Sequence, residues 1–176
     1  RYTIFPPIRY VRGALWPDDE RSVSVVGTRV PSAYGRGTAD SFSHDLAVAG
    51  VTVVSGLARG VDGIVHRAAL DAGKSTIAVM GSGVNVIYPG EHANLAERIV
   101  ENGALVSEHP LGAKPDARNF PRRNRIMVGM TLGTLVIEGS LKSGVLLQPD
   151  RHWQKIEKSL RCRVIFRALT VRVPTG

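Results

Sequence analysis

Residues 51–60 read VTVVSGLARG, a β-branched run that ends in a glycine-containing loop. Val51–Val54 has the composition of a buried strand, and Ser55-Gly56 follows where such a strand gives way to a turn. Residues 61–72 then show a helical pattern that stops before Gly73. An apolar strand that passes through a polar turn into a helix is the repeating unit of a parallel sheet covered by helices.

The same unit recurs on both sides of this stretch. Further strands are predicted at Ser22–Val26, Thr76–Met80, Ala104–Ser107 and Thr134–Ile137. Helices are predicted at Arg36–Ala49, Val61–Ala72, Glu91–Asn102 and Pro121–Met130. The alternation predicts an α/β fold, a Rossmann-like doubly wound and mostly parallel sheet with helices on both faces.

Glycine-rich and polar motifs follow the predicted strands. Ligands of such sheets bind outside the carboxyl ends of the strands, and glycine lets the backbone approach phosphate closely. The motif residues at that rim are Gly27, Thr28, Arg29, Ser55, Gly56, Arg59, Gly60, Gly81, Ser82 and Gly83. Each glycine alone is explained more simply as a turn. Their convergence with two arginines favours a phosphate-binding rim.

Residues 119–125 read NFPRRNR and combine three guanidinium groups with one aromatic ring. Arginine forks match phosphate oxygens, and a phenyl face stacks on any base, so the composition suits single-stranded nucleic acid. The candidate residues here are Asn119, Phe120, Arg122, Arg123, Asn124 and Arg125. The alternative is an ordinary helix start with a solvated charged face, Phe120 as a hydrophobic staple and Pro121 in the first helical position.

The formal charge of +8 is weak evidence for nucleic-acid binding because of where it lies. Residues 151–176 hold seven Lys and Arg residues against one Glu, which leaves +2 for the first 150 residues. Any binding surface in the main body must therefore be local.

Several function classes lack their required residues. The single cysteine, Cys162, excludes an internal disulfide and a multi-cysteine metal site, and the five histidines lack metal-ligand spacing. No dinucleotide fingerprint, P-loop or nucleophile elbow is present, and Glu138 is the only well-placed carboxylate. We expect a non-enzymatic protein without metal or cofactor. The absence of a membrane span and of signal-peptide order predicts a cytoplasmic location.

Taken in order, the motifs of residues 21–146 resemble the DNA-processing protein A family, also called Smf. The matching stretches are Val26–Arg29, Ser55–Asp62 with His66, Gly81–Gly83 followed by Val86–Pro89, Ser107-Glu108, Asn119–Arg125, and Glu138 with Ser143-Gly144. The resemblance implies a Rossmann-like domain that binds and protects single-stranded DNA and helps to load the recombinase RecA during natural transformation. It implies that the candidate residues above, with Lys142, line the DNA site, and that the protein forms a homodimer.

Three regions are expected on this basis. Residues 1–20 resemble a leader that follows a missing amino-terminal region, residues 21–146 form the DNA-binding domain, and residues 147–176 form an aberrant basic tail. Codons for Ile156–Val164 can be chosen that regroup, in another frame, to the family-like sequence REVFAVPG. We therefore expect an out-of-frame translation from about Leu147, against the alternative of a divergent natural tail.

This interpretation has consequences for stability. The helix and strand that the family would place after Gly144 are lost, so we expect an uncovered sheet edge, poor stability and loss of the dimer. Val164-Ile165-Phe166 retains the propensity to form a strand.

Two other functions stay open. Thr131–Thr134 running to Glu138 faintly matches the P-G-G-x-G-T-x-x-E motif of the lysine-decarboxylase-like phosphoribohydrolases, although the proline and first glycines are absent. A nucleotide-sensing module without turnover is the third possibility.

Overall fold

The computed structural model describes residues 10–138 and 162–166. Its strands are β1 (Tyr10–Gly13), β2 (Ser22–Gly27), β3 (Thr52–Ser55), β4 (Thr76–Val79), β5 (Ala104–Ser107), β6 (Gly133–Ile137) and β7 (Cys162–Phe166). Its helices are α1 (Ala33–Val48), α2 (Val61–Asp71), α3 (Ala93–Asn102) and α4 (Asn119–Met130). Short 3-10 turns occupy Pro17–Glu20 and Gly90–His92.

The strands form one sheet in the order β1-β5-β4-β3-β2-β6-β7. The central five strands are parallel, whereas β1 and β7 are antiparallel to their neighbours. The chain winds outward from β2 to β5 and then returns to place β6 on the other side of β2. The predicted α/β class and mostly parallel sheet are confirmed. The reversal beside β2 is the kind of position at which α/β sheets bind ligands.

Alternate strand residues supply the two faces of the sheet. Val25 and Val53 pack on the face covered by α1 and α2, and α3 continues that face over Leu105. Val26 and Val54 point to the opposite face, where α4 packs through Ile126 and Met127. Among the described residues, α4 is the helix that covers this second face. Helices on both faces, as predicted, are therefore present.

The structure departs from the sequence predictions at both edges of the sheet. Tyr10–Gly13, for which no strand was predicted, pairs along β5 and extends the sheet beyond the predicted domain start. The expectation of an uncovered edge at β6 is wrong, because β7 pairs with all five residues of that strand. The strand predicted at Val164–Phe166 is confirmed and begins at Cys162. Lys142, Ser143 and Gly144 lie outside the described residues.

Across residues 10–138 and 162–166, none of the helices is long and apolar enough to cross a bilayer. The same residues contain no cluster of His, Cys, Asp or Glu side chains that could hold a metal ion.

Candidate nucleic-acid interface

Close backbone contacts at the carboxyl ends of β2, β3 and β6 need glycine. Gly60 has a φ of +76°, and a Cβ there would lie 2.4 Å from the carbonyl oxygen of Thr28. A Cβ on Gly27 would lie 2.3 Å from the carbonyl oxygen of Ile137. Since real side chains do not tolerate such distances, these glycines bring the Arg29 and Arg59 loops together at one rim.

Arg123 joins α4 to the ends of β3 and β4. Its side chain is 4% exposed, and its guanidinium donates hydrogen bonds to the carbonyl oxygens of Gly56, at 2.6 Å, and of Val79. A Cβ on Gly56 would lie 1.8 Å from Nη2 of Arg123, so Gly56 leaves room for the guanidinium. The structure thus places Arg123 away from the DNA-facing position expected for it. Its donors are used within the protein.

A buried carboxylate accompanies this arginine. Asp62 is 5% exposed, and its Oδ2 lies 3.4 Å from Nη2 of Arg123 and 3.2 Å from the backbone nitrogen of Ala58. Burial raises the pKa of Asp62, and the positive charge of Arg123 opposes this rise. Burial likewise lowers the pKa of Arg123. The Asp62–Arg123 pair therefore connects α2, α4 and the loop that follows β3. The burial of both charges costs desolvation free energy.

An aromatic cluster, formed by Phe120, Tyr88 and Arg29, lies at the start of α4. The ring centroids of Phe120 and Tyr88 are 5.7 Å apart, and Cζ of Arg29 lies 5.9 Å from the Phe120 centroid. Phe120 is half-buried against Gly81, where a Cβ would lie 2.9 Å from its Cδ1. Asn119 donates a hydrogen bond to the carbonyl oxygen of Gly81 at 3.2 Å and fixes the helix start there. Tyr88 and Arg29 remain exposed.

Arg59 is exposed but carries a carboxylate partner. Its Nε and Nη2 donate hydrogen bonds to the two oxygens of Glu91 at 3.0 and 2.8 Å. These hydrogen bonds lower the pKa of Glu91 and raise the pKa of Arg59. The local positive charge at Arg59 is therefore partly neutralised.

Arg122 and Arg125 lie on another side of α4. Together with Glu108 and His109 they line a cavity of about 390 Å³. Arg125 donates a hydrogen bond to the carboxylate of Glu108. Arg122 is exposed and makes no hydrogen bond or ion pair within the described part of the chain. It is the residue of the NFPRRNR run whose charge is best placed for phosphate.

The polar residues of the loops turn inward. Ser55 Oγ donates to the carbonyl oxygen of Val25 at 2.6 Å, and Ser82 Oγ donates to that of Val86 at 2.7 Å. Asn124 accepts a hydrogen bond from Nε of Arg123 at 3.0 Å. These side chains shape the rim rather than extend from it. Thr28 likewise accepts a bond from the backbone of its own loop.

Glu138 caps the start of α1. Its carboxylate accepts hydrogen bonds from the backbone nitrogen of Ser32, at 2.8 Å, and from the Ser32 hydroxyl. A Cβ on Gly35 would collide with this carboxylate at 2.3 Å. These contacts make Glu138 a cap for the start of α1, which lies 106 residues earlier in the chain.

The structure therefore divides the predicted site residues. Exposed or half-exposed at the rim are Gly27, Thr28, Arg29, Arg59, Gly60, Asn119, Phe120, Arg122, Asn124 and Arg125. Buried are Ser55, Gly56, Gly81, Ser82, Gly83 and Arg123. Sequence reasoning missed Tyr88, Glu91, Glu108 and His109 as parts of the rim. Tyr88 and Glu108 could have been found, because they lie in the Val86–Pro89 and Ser107-Glu108 stretches of the resemblance.

A family model described as DNA recombination-mediator protein A matches residues 1–155. Protein Smf of Escherichia coli K12 is 48% identical over 146 residues, which cover 82% of this chain and 39% of that protein. DNA processing protein DprA of Bacillus subtilis is 41% identical over 127 residues, which cover 72% of this chain and 43% of that protein. The chain thus spans about two fifths of the length of these relatives.

Two solved structures are similar. DprA of Streptococcus pneumoniae matches with a TM-score of 0.72 at 36% identity, covering 77% of this chain and 47% of that chain. DprA of Helicobacter pylori, whose structure is described in terms of its single-stranded DNA binding mode, matches with a TM-score of 0.70 at 30% identity, covering 77% and 62%. The extent of the family match and these identities show that the chain belongs to the DNA recombination-mediator protein A (DprA/Smf) family.

Proposed function

We propose that this chain binds single-stranded DNA without catalysing a reaction, and that it acts in DNA processing as a recombination mediator. The observation that carries the proposal is the aromatic cluster beside an exposed cation on α4. An aromatic ring offers a stacking surface for any base, and arginine supplies charge for the phosphates between bases. The described binding mode of the Helicobacter pylori relative supports the same ligand.

The proposed contact surface is smaller than the predicted set of residues. Phe120, Tyr88 and Arg29 form its stacking end, and Arg122 forms its electrostatic end. Arg123 is left out because its guanidinium is buried. Lys142 keeps its proposed place on the resemblance alone, as does the loading of RecA. The homodimer of the family is still expected to be lost with the altered carboxyl-terminal tail.

Fluorescence anisotropy with single- and double-stranded oligonucleotides of one sequence tests this proposal. We expect tighter binding of the single strand. Phe120→Ala should weaken it by about 5- to 150-fold, which corresponds to a stacking contribution of about 1–3 kcal/mol. Phe42→Ala is the matched control, because Phe42 is also exposed but lies on α1.

The salt dependence separates charge from stacking. Arg122→Ala should reduce the slope of log K against log salt by about 0.7, the value for one neutralised phosphate of a single strand. Phe120→Ala should leave that slope unchanged. Arg21→Ala, at the opposite end of β2, is the control for a general loss of positive charge. Equal affinity of the parent, Phe120→Ala and Arg122→Ala proteins for single-stranded DNA would overturn the placement.

We do not extend the proposal to a phosphoribohydrolase activity. The acid that such an activity would need, Glu138, is bonded to the first turn of α1. Release of free base from a nucleoside monophosphate, abolished by Glu138→Gln, would revive that alternative. Calorimetry with mononucleotides tests the nucleotide-sensing alternative.

The bounds of the regions stay proposals as well. We infer that the DNA-binding domain spans residues 21–146 after a leader at residues 1–20, and that translation leaves the family frame near Leu147. The family match continues to residue 155, eight residues past that point. Resequencing of the encoding DNA decides the matter: an intact frame whose codons do not regroup to the family-like sequence would refute it.

A further inference from the structure

The cavity beside α4 combines groups of opposite hydrogen-bonding character. Arg122 and Arg125 line it as donors, and Glu108 lines it as an acceptor. Its volume of about 390 Å³ falls within the roughly 300–1,000 Å³ typical of small-ligand sites. A site for phosphate alone would gain nothing from a carboxylate in its wall, because the two anions repel each other.

An unsatisfied polar atom belongs to the same lining. Nε2 of His109 is buried and has no hydrogen-bond partner within the described part of the chain. The backbone of His109 is held in place by a hydrogen bond from its nitrogen to Ser107 Oγ at 3.0 Å, at the end of β5. A buried polar atom without a partner costs free energy, so the wall of this cavity contains one polar group that the protein itself leaves unsatisfied.

The carboxylate is oriented by its neighbour. The side chain of Glu108 is 20% exposed, and its Oε2 accepts a hydrogen bond from Nη2 of Arg125, whose side chain is 43% exposed. One carboxylate oxygen therefore keeps its full capacity to accept bonds from a ligand. Glu108 and Arg125 together therefore offer a ligand hydrogen-bond acceptors next to hydrogen-bond donors.

From this arrangement we propose that the cavity takes an unpaired guanine base of the bound single strand; the inference rests on the proposed function. The Watson–Crick edge of guanine carries two adjacent donors, N1–H and N2–H, beside the acceptor O6. Glu108 would accept from the donors, and Arg125 would donate to O6. Thymine offers one donor between two acceptors, so it satisfies the carboxylate less well. Arg122 would hold the phosphate on the outer side.

The cavity and the aromatic cluster lie on different sides of the start of α4. Phe120 faces Gly81 and Arg29, whereas Arg122 faces Glu108 and His109. A strand that crosses this helix start would stack one base on Phe120 without regard to its identity. It would place a neighbouring base in the cavity, where identity matters.

Short oligothymidylates that carry one central guanine, hypoxanthine, adenine or cytosine test this inference by competition anisotropy. Guanine should compete about 5- to 150-fold better than thymine, the range for a good bidentate base contact of about 1–3 kcal/mol. Hypoxanthine lacks only the N2 amino group, so it should lose much of the advantage while the protein stays unaltered.

The protein variants locate the effect. Glu108→Gln releases Arg125 from its carboxylate partner and should therefore bind oligothymidylate more tightly than the parent, yet lose the guanine preference. Glu91→Gln, which removes a carboxylate on the other side of the rim, should keep it. Equal competition by all four bases in a protein that binds oligothymidylate overturns this inference and leaves the proposed function intact. Failure to bind any single strand overturns both. A preference that survives in a folded Glu108→Gln protein also overturns the cavity assignment.

Discussion

Replacement of Arg123 by methionine separates a structural anchor from a DNA contact. Methionine keeps an unbranched stem but removes the charge and all five donors. The guanidinium that is lost is 4% exposed and bonds the carbonyl oxygens of Gly56 and Val79. We therefore expect Arg123→Met to act mainly on the free energy of unfolding.

The size of the expected destabilisation depends on Asp62, which stays buried after the substitution. Asp62, 5% exposed, keeps the bond from Ala58 but loses its positive partner. Removing one partner of a buried pair costs about 3–5 kcal/mol, since the other charge is left uncompensated. Domains of ordinary stability unfold with about 5–15 kcal/mol, so Arg123→Met should remove a large fraction of the free energy of unfolding.

Urea unfolding followed by circular dichroism measures this change. Arg122→Met is the matched control, because it removes an exposed arginine from the neighbouring position of the same helix. We expect it to alter the free energy of unfolding by no more than about 0.5 kcal/mol, as for ordinary surface substitutions. Adding Asp62→Leu to Arg123→Met should recover part of the loss, since an apolar pair needs no counter-charge.

The two variants should behave in opposite ways toward DNA. Arg122→Met should weaken single-stranded DNA binding in a fully folded protein. A structural role for Arg123 is refuted if the free energy of unfolding of Arg123→Met lies within about 1 kcal/mol of the parent value and the variant still loses DNA binding as Arg122→Met does, because Arg123 would then reach the ligand.

Three further predictions concern packing and protonation. Gly81→Val should displace the Phe120 ring, which a Cβ would approach to 2.9 Å, and lower single-stranded DNA affinity in anisotropy while double-stranded affinity stays unchanged. Gly37→Ala should raise the free energy of unfolding by about 0.5–1 kcal/mol in urea titrations, because this helical glycine has open space around it and alanine loses less entropy. Burial lowers the pKa of His66 from 6.5 to about 3. As the pH falls, the unfolded chain therefore binds this proton before the folded chain does. The free energy of unfolding should decrease from pH 6.5 toward pH 3, with a slope from His66 of at most about 1.4 kcal/mol per pH unit. His66→Gln should abolish this part of the pH dependence.

The protonation prediction has a geometric basis. The hydroxyl of Thr76 donates to the carbonyl oxygen of Val53 at 2.7 Å, so it accepts from Nδ1 of His66 at 2.8 Å. The proton of the neutral ring therefore lies on Nδ1. Nε2 is buried without a partner within residues 10–138 and 162–166, and protonation would place a charge there.

The sequence predicted correctly those helices and strands that are specified by the local order of apolar, polar and glycine residues. β-branched runs between glycine-closed helical segments specify a parallel sheet, because only strands covered on both faces can be apolar throughout. The same logic located the polar loops at one rim. It failed for β1, because Tyr10–Gly13 is only four residues long and includes an arginine and a glycine, which is too short a run to show a strand pattern. It also failed to foresee that β7 would cover β6.

Partners distant in sequence were not predictable. Glu91 lies 32 residues from Arg59, and Glu108 lies 17 residues from Arg125, yet these carboxylates decide how much charge the rim presents. Nothing in the loop sequences indicates these pairings, since exposed ion pairs depend on where two loops finally meet.

By itself, the sequence determined the class of fold, the edge of the sheet at which the candidate site lies and the family to which the motifs belong. Only the tertiary structure decided which arginine of NFPRRNR faces the protein and which faces outward. Neighbouring positions of a helix point about 100° apart, and local sequence treats Arg122 and Arg123 alike. The packing of α4 against the ends of β3 and β4 turns Arg123 toward Gly56 and Val79 and leaves Arg122 exposed. A single guanidinium, that of Arg123, donates hydrogen bonds to both of those carbonyl oxygens.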